Sequence, residues 1–182
     1  MRCSDTGLCH GTSGSPQESL ESLEYGAKVR EIEENLRKNF GPSEYAKEDL
    51  SRLTDTEHFT EGAIKHIFEG EVNHRDKAVG YHYEGIKNTD AKAVLGTRTL
   101  PDENGVYEAN VSVNGLIKRG MSSFFPREWT PQQVVDGINA AYANKSYISG
   151  NKYRGKFNRI TIEMYLSLEG KIKSAYPLKE NS

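Results

Sequence analysis

Within the stretch KHIFEGEVNHRDKAVGYHYEG, residues 65–85, the sequence changes from a helical pattern to strand-like segments, and the fold class follows from this change. Before it, from Thr56 to Phe68, apolar residues recur at helical spacing, and Gly70 ends that pattern. From about residue 78 onward the chain consists of short segments rich in β-branched and aromatic residues, beginning with VGYHY and KAVLGTRTL. Helices followed by strands predict an α+β fold.

Two more helices are predicted upstream of this change. Residues 17–40 carry apolar side chains between Glu, Lys and Arg, as an amphipathic helix does, and Gly41-Pro42 ends the pattern. A shorter helix is predicted from Ser43 to about Leu50. Residues 1–16, rich in Gly and Ser, are predicted to be a flexible start. We therefore expect a flexible start (1–16), a helical N-terminal extension (17–60) and one main domain (61–182).

The region after residue 78 is predicted to be a mostly antiparallel sheet with one inserted helix. Asn114-Gly115 separates two strand-like segments and is a strong hairpin signal. Thr130–Asn144 is predicted to be the inserted helix, because Thr130 can cap it, Pro131 fits its first turn and Gln133 completes a capping box. NRITIEMYLS and KIKSAYP, joined through Leu-Glu-Gly, predict a closing hairpin.

Composition excludes several classes of protein. Ten Tyr and six Phe argue against disorder, although the mean hydropathy is −0.73. There is no run of about 18 apolar residues, so no membrane-spanning segment is expected, and the basic-then-apolar order of a signal peptide is missing at the start. The two cysteines, Cys3 and Cys9, both lie in the predicted flexible start, so neither a disulfide core nor a four-ligand zinc site is expected.

Charge is distributed unevenly along the chain. The net charge is −2, but the segment from Lys118 to Arg159 holds eight Lys and Arg against only Glu128 and Asp136. A basic surface is therefore predicted in the second half.

His66 and His82 are the residues from which a chemical function can be argued. A lone histidine is usually a surface or satisfied core residue, but two that converge can donate and accept a proton in one reaction. Cleavage of RNA without a metal needs such a pair, together with a cation for the charge that develops on phosphorus. Lys118, predicted to lie on a strand in VNGLIKRGMSSFFP, is the candidate cation.

The segments HIFEG, GYHYEG, NGLIKRGMSSFFPREWTPQQVVDGINAAY and GKIKSAYP together resemble a known family. They are similar, over about residues 60–178, to the bacterial EndoU-type endoribonucleases found as C-terminal toxin domains of contact-dependent growth inhibition and other polymorphic toxin systems. The resemblance implies an EndoU, RNase A-like fold and RNA cleavage that needs no metal or other cofactor.

The same resemblance implies a role for each residue of the site. His82 would take the proton from the 2′-OH and His66 would protonate the leaving oxygen, although the two roles can be exchanged. Lys118 would stabilise the pentacovalent phosphate. Ser122 would meet the base or phosphate, and Tyr176 would stack on the ribose or pyrimidine. The products would be a 2′,3′-cyclic phosphate and a 5′-OH.

Two details of the substrate site stay open at this point. Ser123 and Ser174 lie close in sequence to the other site residues, so the hydroxyl that faces the substrate is not fixed. The stretch SYISGNKYRGKFNR is either a surface loop with solvated charges or part of an RNA groove in which aromatic and basic residues interleave. The second interpretation makes Lys152, Tyr153 and Arg154 substrate-binding residues.

The resemblance also implies partners and a place of action. The substrate would be tRNA or another cytoplasmic RNA, cut at a pyrimidine. The domain would be delivered as part of a larger secreted or cell-surface toxin, would act in the cytoplasm of the target cell, and would be inhibited by a cognate immunity protein with an acidic surface.

Two other functions compete with this one. The first is a non-catalytic RNA-binding or protein-interaction module with structural histidines. The second is a metal-dependent nuclease, suggested by the eight-residue spacing of His58, His66, His74 and His82. A spacing of eight does not bring ligands together as an i, i+4 spacing does, which disfavours a metal site.

Overall fold

The computed structural model describes residues 20–28, 30–31 and 45–181. Residues 20–28 and 30–31 are helical (α1), as predicted for this part of 17–40. The remaining residues predicted for that helix, and the predicted flexible start, lie outside the described part of the chain. No helix in the described part combines the length and apolar character that crossing a membrane requires.

Residues 45–60 contain less helix than predicted. A 3₁₀ helix occupies Lys47–Arg52, and the next helix, α2, runs only from Ala63 to Phe68. The prediction that it begins near Thr56 is wrong, because Phe59 instead forms a β-bridge with Ile172 of the last strand. Residues 45–60 also attach to the main domain, since Tyr45 accepts from and donates to the backbone around Ile86.

The inserted helix, α3, spans Pro131–Ala143 as predicted. The Thr130 side chain accepts a hydrogen bond from the Gln133 amide, and the Gln133 side chain accepts one from the Thr130 amide. This reciprocal pair satisfies two donors that the helix itself cannot satisfy. The helix packs on the strand that carries Gly155, where any Cβ would collide with the Ala141 carbonyl.

The sheets are antiparallel, and the α+β prediction is confirmed. In the described residues the strands are β1 (Glu71–Val72), β2 (Ala78–Val79), β3 (Ala91–Ala93), β4 (Tyr107–Ala109), β5 (Val111–Val113), β6 (Leu116–Ile117), β7 (Ser122–Phe124), β8 (Ser146–Ser149), β9 (Lys152–Phe157), β10 (Ile160–Leu166) and β11 (Ile172–Pro177). One sheet has the order β11-β10-β9-β8, a second has the order β3-β5-β6, and β1-β2 and β4-β7 form two further pairs.

Both predicted hairpins are present. Asn114 and Gly115 join β5 to β6 with φ values of 50° and 80°, the left-handed conformation that an Asn-Gly turn favours. β10 and β11 form the closing hairpin, and Glu163 pairs with Tyr176 in its register. The predicted strand VGYHY is wrong beyond Val79, because the next two residues have positive φ and turn the chain out of the sheet.

The buried apolar side chains form two clusters. The larger cluster joins α2, α3 and the four-stranded sheet. The smaller cluster joins β2, β3, β4, β5 and β7. Consecutive residues divide between them: Tyr81 belongs to the smaller cluster and Tyr83 to the larger, with His82 between. The segment around His82 therefore lies at the junction of the two clusters.

Candidate active site

Backbone hydrogen bonds bring His66 and His82 together. The Tyr81 amide donates to the His66 carbonyl at 2.9 Å, and the His82 amide donates to the Ile67 carbonyl at 2.7 Å. The second turn of α2 is thus fastened to the chain that follows β2. The centroids of the two imidazole rings lie 6.4 Å apart, a separation that one phosphate group can span.

Gly80 allows this close approach. Its φ is +77°, and a Cβ on it would overlap the His66 carbonyl oxygen. A side chain here would therefore push α2 away from the segment that carries His82. Glycine is required for both reasons, conformation and space.

The protonation of His82 follows from its surroundings. Its Nδ1 lies 2.8 Å from the Ser123 carbonyl, which can only accept, so Nδ1 carries a proton. In the neutral ring Nε2 is then free to accept one. Burial, and then the nearby Lys118 ammonium, lower the pKa of His82 well below its ordinary value. His82 is only 4% exposed but lines a cleft, so its neutral ring is within reach of a ligand.

His66 has a different partner. Its Nδ1 lies 3.0 Å from a carboxylate oxygen of Glu71, at the start of β1. A carboxylate also accepts only, so it orients the ring and offsets the charge of the imidazolium form. The two histidines therefore differ in the partner of Nδ1, which is a neutral carbonyl for His82 and a carboxylate for His66.

Lys118 follows directly after β6 and reaches the same place. Its Nζ donates to Ser122 Oγ at 2.6 Å and to the Gly80 carbonyl at 3.2 Å. Burial lowers the pKa of Lys118 from 10.5 to about 8, so the ammonium is still charged at neutral pH. Two neutral acceptors fix its position without neutralising it.

Tyr176 of β11 closes the other side of the site. Its ring stacks on the His82 ring with the centroids 5.1 Å apart and the planes at 27°. Its hydroxyl donates a short hydrogen bond to the Glu163 carboxylate. Burial, followed by this hydrogen bond, raises the pKa of the Tyr176 phenol well above its ordinary value.

These groups border one cleft of about 430 Å³. Elements from both clusters contribute to its walls, since α2 and β10–β11 belong to the larger one and the turn after β2 leads from the smaller. The lining residues are His66, Val79, Gly80, His82, Lys118, Met121, Ser123, Tyr165, Ser174 and Tyr176.

The structure distinguishes the three candidate hydroxyl residues. Ser122 is only 1% exposed and does not line the cleft; its Oγ contacts Lys118 and the Gly80 carbonyl instead. Strand alternation turns the Ser122 side chain inward, away from the cleft wall, and its predicted contact with the substrate stays a prediction. Ser123 and Ser174 do line the cleft.

The basic stretch after α3 is a hairpin of β8 and β9 and not an irregular loop, while the choice between solvated charges and an RNA groove stays open. Lys152 and Arg154 share the face of the sheet that leads to the cleft, where they pair in register with Tyr165 and Glu163. Tyr153 lies on the opposite face, packs against the larger cluster and contacts the ring of Tyr147 at 5.6 Å. Tyr153 does not share the face of Lys152 and Arg154, because successive strand residues point to opposite faces, and its predicted contact with RNA stays a prediction.

The other two histidines of the eight-residue series lie elsewhere. His58 stacks on Tyr142 with centroids 4.7 Å apart, and His74 is exposed in the turn between β1 and β2. Within residues 20–28, 30–31 and 45–181, no group of three or more His, Cys, Asp or Glu side chains is arranged to hold a metal ion.

Among the polar side chains at the site, those of Glu71, Glu163 and Tyr165 were not predicted. The alternation in ITIEMYL places Glu163 and Tyr165 on one face of β10, but only the pairing with β11 shows that this face meets the cleft. Nothing in the sequence around Glu71 pointed to His66.

Two imidazoles and an ammonium thus border one cleft on an antiparallel α+β fold, and such groups could supply a base, an acid and a cation to a reaction at a phosphate. Residues 60–179 match the family described as Bacterial EndoU nuclease, and the chain belongs to that family.

A relative from Bacillus cereus, named "Toxin", is 43% identical over 153 residues. The match covers 76% of this chain but only 28% of that protein, so the chain corresponds to a minor part of its length. No solved structure matches this chain.

Proposed function

We propose that the chain is an endoribonuclease domain that cleaves RNA by attack of a ribose 2′-OH on the adjacent phosphorus. The observation that carries the proposal is the approach of His66, His82 and Lys118 around one cleft, with ring centroids 6.4 Å apart. Each of the three groups fits one task in that reaction. Membership of a nuclease family supports the same class of chemistry.

The surroundings of the two rings support one assignment of their roles. His82 accepts the 2′-OH proton on Nε2, since its Nδ1 proton is held by the Ser123 carbonyl and the ring is neutral. The 2′-oxygen bonds to phosphorus, and the bond to the 5′-oxygen breaks. His66 donates a proton to that oxygen, and Glu71 balances the charge of its imidazolium form. The products are a 2′,3′-cyclic phosphate and a 5′-OH.

Lys118 stabilises the pentacovalent phosphate. Its ammonium is held by neutral partners, so its charge remains available to the anionic oxygens. Ser122 acts as a positioning residue that holds the ammonium. The two rings and the ammonium together supply the base, the acid and the cation, so we propose that cleavage needs no metal. Retention of activity in a chelator tests this point.

The substrate lies against Tyr176 and the basic face of β9. One face of the Tyr176 ring is occupied by His82, so a ribose or base stacks on its other face. Lys152 and Arg154 contact phosphates beyond the cleft. Ser123 and Ser174, which line the cleft, are the hydroxyls available to a base. We propose cutting at a pyrimidine in tRNA or another cytoplasmic RNA.

We further propose that this domain is the nuclease part of a larger toxin. The relative named "Toxin", of which this chain matches 28%, supports that place in a longer protein. Such a protein would be secreted or carried at the cell surface, would act in the cytoplasm of a competing cell as in contact-dependent growth inhibition, and would require a cognate immunity protein in its producer. An acidic immunity surface would complement the basic face.

The test is an RNA cleavage assay with end-group analysis. The wild type is expected to leave a 2′,3′-cyclic phosphate and a 5′-OH. His66→Ala and His82→Ala should each lower the rate by about 10²–10⁴-fold, because each removes one proton-transfer group. His74→Ala is the matched control, since His74 is exposed and outside the cleft. Near-normal cleavage by a folded His82→Ala variant would contradict the two-histidine mechanism, and absence of cleavage by the wild type would favour the non-catalytic binding module.

A further inference from the structure

Glu163 is a buried carboxylate to which the proposed reaction assigns no step. It lies in the middle of β10 and is only 5% exposed. Burying a carboxylate is costly unless charged or polar groups are arranged around it. Its neighbours are therefore informative.

Three side chains converge on this carboxylate. The Tyr176 hydroxyl donates to Oε2 and the Arg154 Nε donates to Oε1 at 3.0 Å. The Lys152 ammonium lies 4.0 Å from Oε1. These partners come from β11 on one side of β10 and from β9 on the other. Glu163 thus connects the wall of the cleft to its basic flank.

The consequence for the site runs through Tyr176. The ring of Tyr176 stacks on the general base His82, and its position about the side-chain bonds is fixed at the far end by Glu163. The second oxygen of Glu163 is held by Arg154, which prevents the carboxylate from turning away. A fixed ring keeps the base oriented.

We propose that Glu163 is a positioning residue that holds Tyr176 against His82 and couples it to the basic flank of the cleft. The effect on catalysis rests on the proposed ribonuclease function. The orientation of Tyr176 does not, so it can be measured separately.

The catalytic test is a double-mutant cycle of Glu163→Gln and Tyr176→Phe. Gln keeps the shape of the side chain but has only one acceptor oxygen, which the donor-only Arg154 guanidinium takes, so Tyr176 loses its acceptor. Phe keeps the ring but removes the hydroxyl. Each variant should lower kcat by about tenfold, since each breaks the same hydrogen bond to a charged group. The double variant should also lose only about tenfold, rather than a hundredfold, because both substitutions remove one interaction. Additive losses would overturn the proposal.

The structural test needs no substrate. The Tyr176 ring current shifts the ring-proton NMR signals of His82, so these signals report the stacking. Glu163→Gln and Tyr176→Phe should both move them. Glu169→Gln, which removes the same charge from the exposed turn of the same hairpin, should not. Unchanged His82 signals in Glu163→Gln would refute the positioning role.

The two tests separate the possible failures. If the wild type does not cut RNA but Glu163→Gln still moves the His82 signals, the proposed function fails and the positioning role stands. If the wild type cuts RNA, and Glu163→Gln leaves both kcat and the His82 signals unchanged, only the positioning role fails. Because Tyr176→Phe tests the same hydrogen bond from its other end, a poorly folded Glu163 variant does not prevent a decision.

Discussion

The two clusters of buried side chains differ in how they are built. The larger one rests on long regular elements, such as the 13-residue α3 and the seven-residue β10. The smaller one is assembled from strands of only two or three residues. The cleft lies at their junction and takes His66 and Tyr176 from elements of the larger, but Lys118 from the chain between two strands beside the smaller.

The difference indicates which part of the site is most easily disrupted. Within the larger cluster, side-chain packing holds the elements in place. At the junction, a few backbone hydrogen bonds and one glycine hold α2 against the chain that carries His82. Substitutions at the junction should therefore act on catalysis out of proportion to the apolar area that they remove.

The largest expected effect is on catalysis and comes from Lys118, which lies beside the smaller cluster. Lys118→Ala should lower kcat by about 10²–10³-fold with the fold intact, because it removes the cation that meets the developing charge. Arg119→Ala is the control, since Arg119 is the adjacent cation in sequence but is exposed and does not line the cleft. Steady-state kinetics with an RNA substrate measure both. Equal effects of the two variants would mean that only the overall charge matters.

The next effect concerns the junction itself. Gly80→Ala should lower the free energy of unfolding by more than about 2 kcal/mol, because it combines an unfavourable φ with a collision against the His66 carbonyl. Gly150→Ala should cost only about 1 kcal/mol, since its φ is also positive but the space around it is open. Denaturant unfolding measures the difference. Equal losses would show that the contact with α2 does not hold the junction together.

A smaller effect concerns pH. The folded-state pKa of His82 is lowered, so below about pH 6.5 the unfolded chain binds a proton that the folded chain does not bind. This contribution to stability is present above that pH and is lost as the pH falls, by at most about 1.4 kcal/mol per pH unit. His82→Asn should make the dependence shallower between pH 6.5 and 5. The unfolding free energy is measured in urea at each pH. If it depends on pH as steeply in His82→Asn as in the wild type, the burial of a neutral ring is contradicted.

The smallest effect compares the two faces of the four-stranded sheet. Lys152→Ala should weaken RNA binding a few-fold and reduce the slope of log affinity against log salt by about 0.7, the share of one phosphate contact on a single strand. Tyr153→Leu, on the opposite face, should leave that slope unchanged. Binding titrations at several salt concentrations test both. A reduced slope in Tyr153→Leu would mean that RNA uses the other face.

Local signals in the sequence were sufficient for much of the larger cluster. The cap at Thr130 and the glycine-containing turn between β10 and β11 act over a few residues, so α3 and the closing hairpin were predicted correctly. The Asn-Gly turn between β5 and β6 was predicted for the same reason. The strand predicted for VGYHY is wrong beyond Val79, because Gly80 and Tyr81 turn the chain to meet α2, a contact that no local signal indicates.

The candidate site was predictable to a similar extent. The types of residue needed for the chemistry pointed to His66, His82 and Lys118, and the structure brings them together. Their roles remain predictions. The inward orientation of Ser122, the far face of Tyr153 and the contact between Glu163 and Tyr176 depend on strand register and pairing. Those are properties of the assembled sheet, which no short segment determines.

The central claim is that a ribose 2′-oxygen is the nucleophile, activated by His82. The most direct measurement uses an RNA oligonucleotide that the wild type cuts at one known position, compared with the same oligonucleotide carrying a single 2′-deoxynucleotide on the 5′ side of that bond. Cleavage at the substituted position should disappear, while ribose positions elsewhere in the strand remain open to attack. Continued cleavage at the deoxy position would show that another nucleophile is used and would contradict the account.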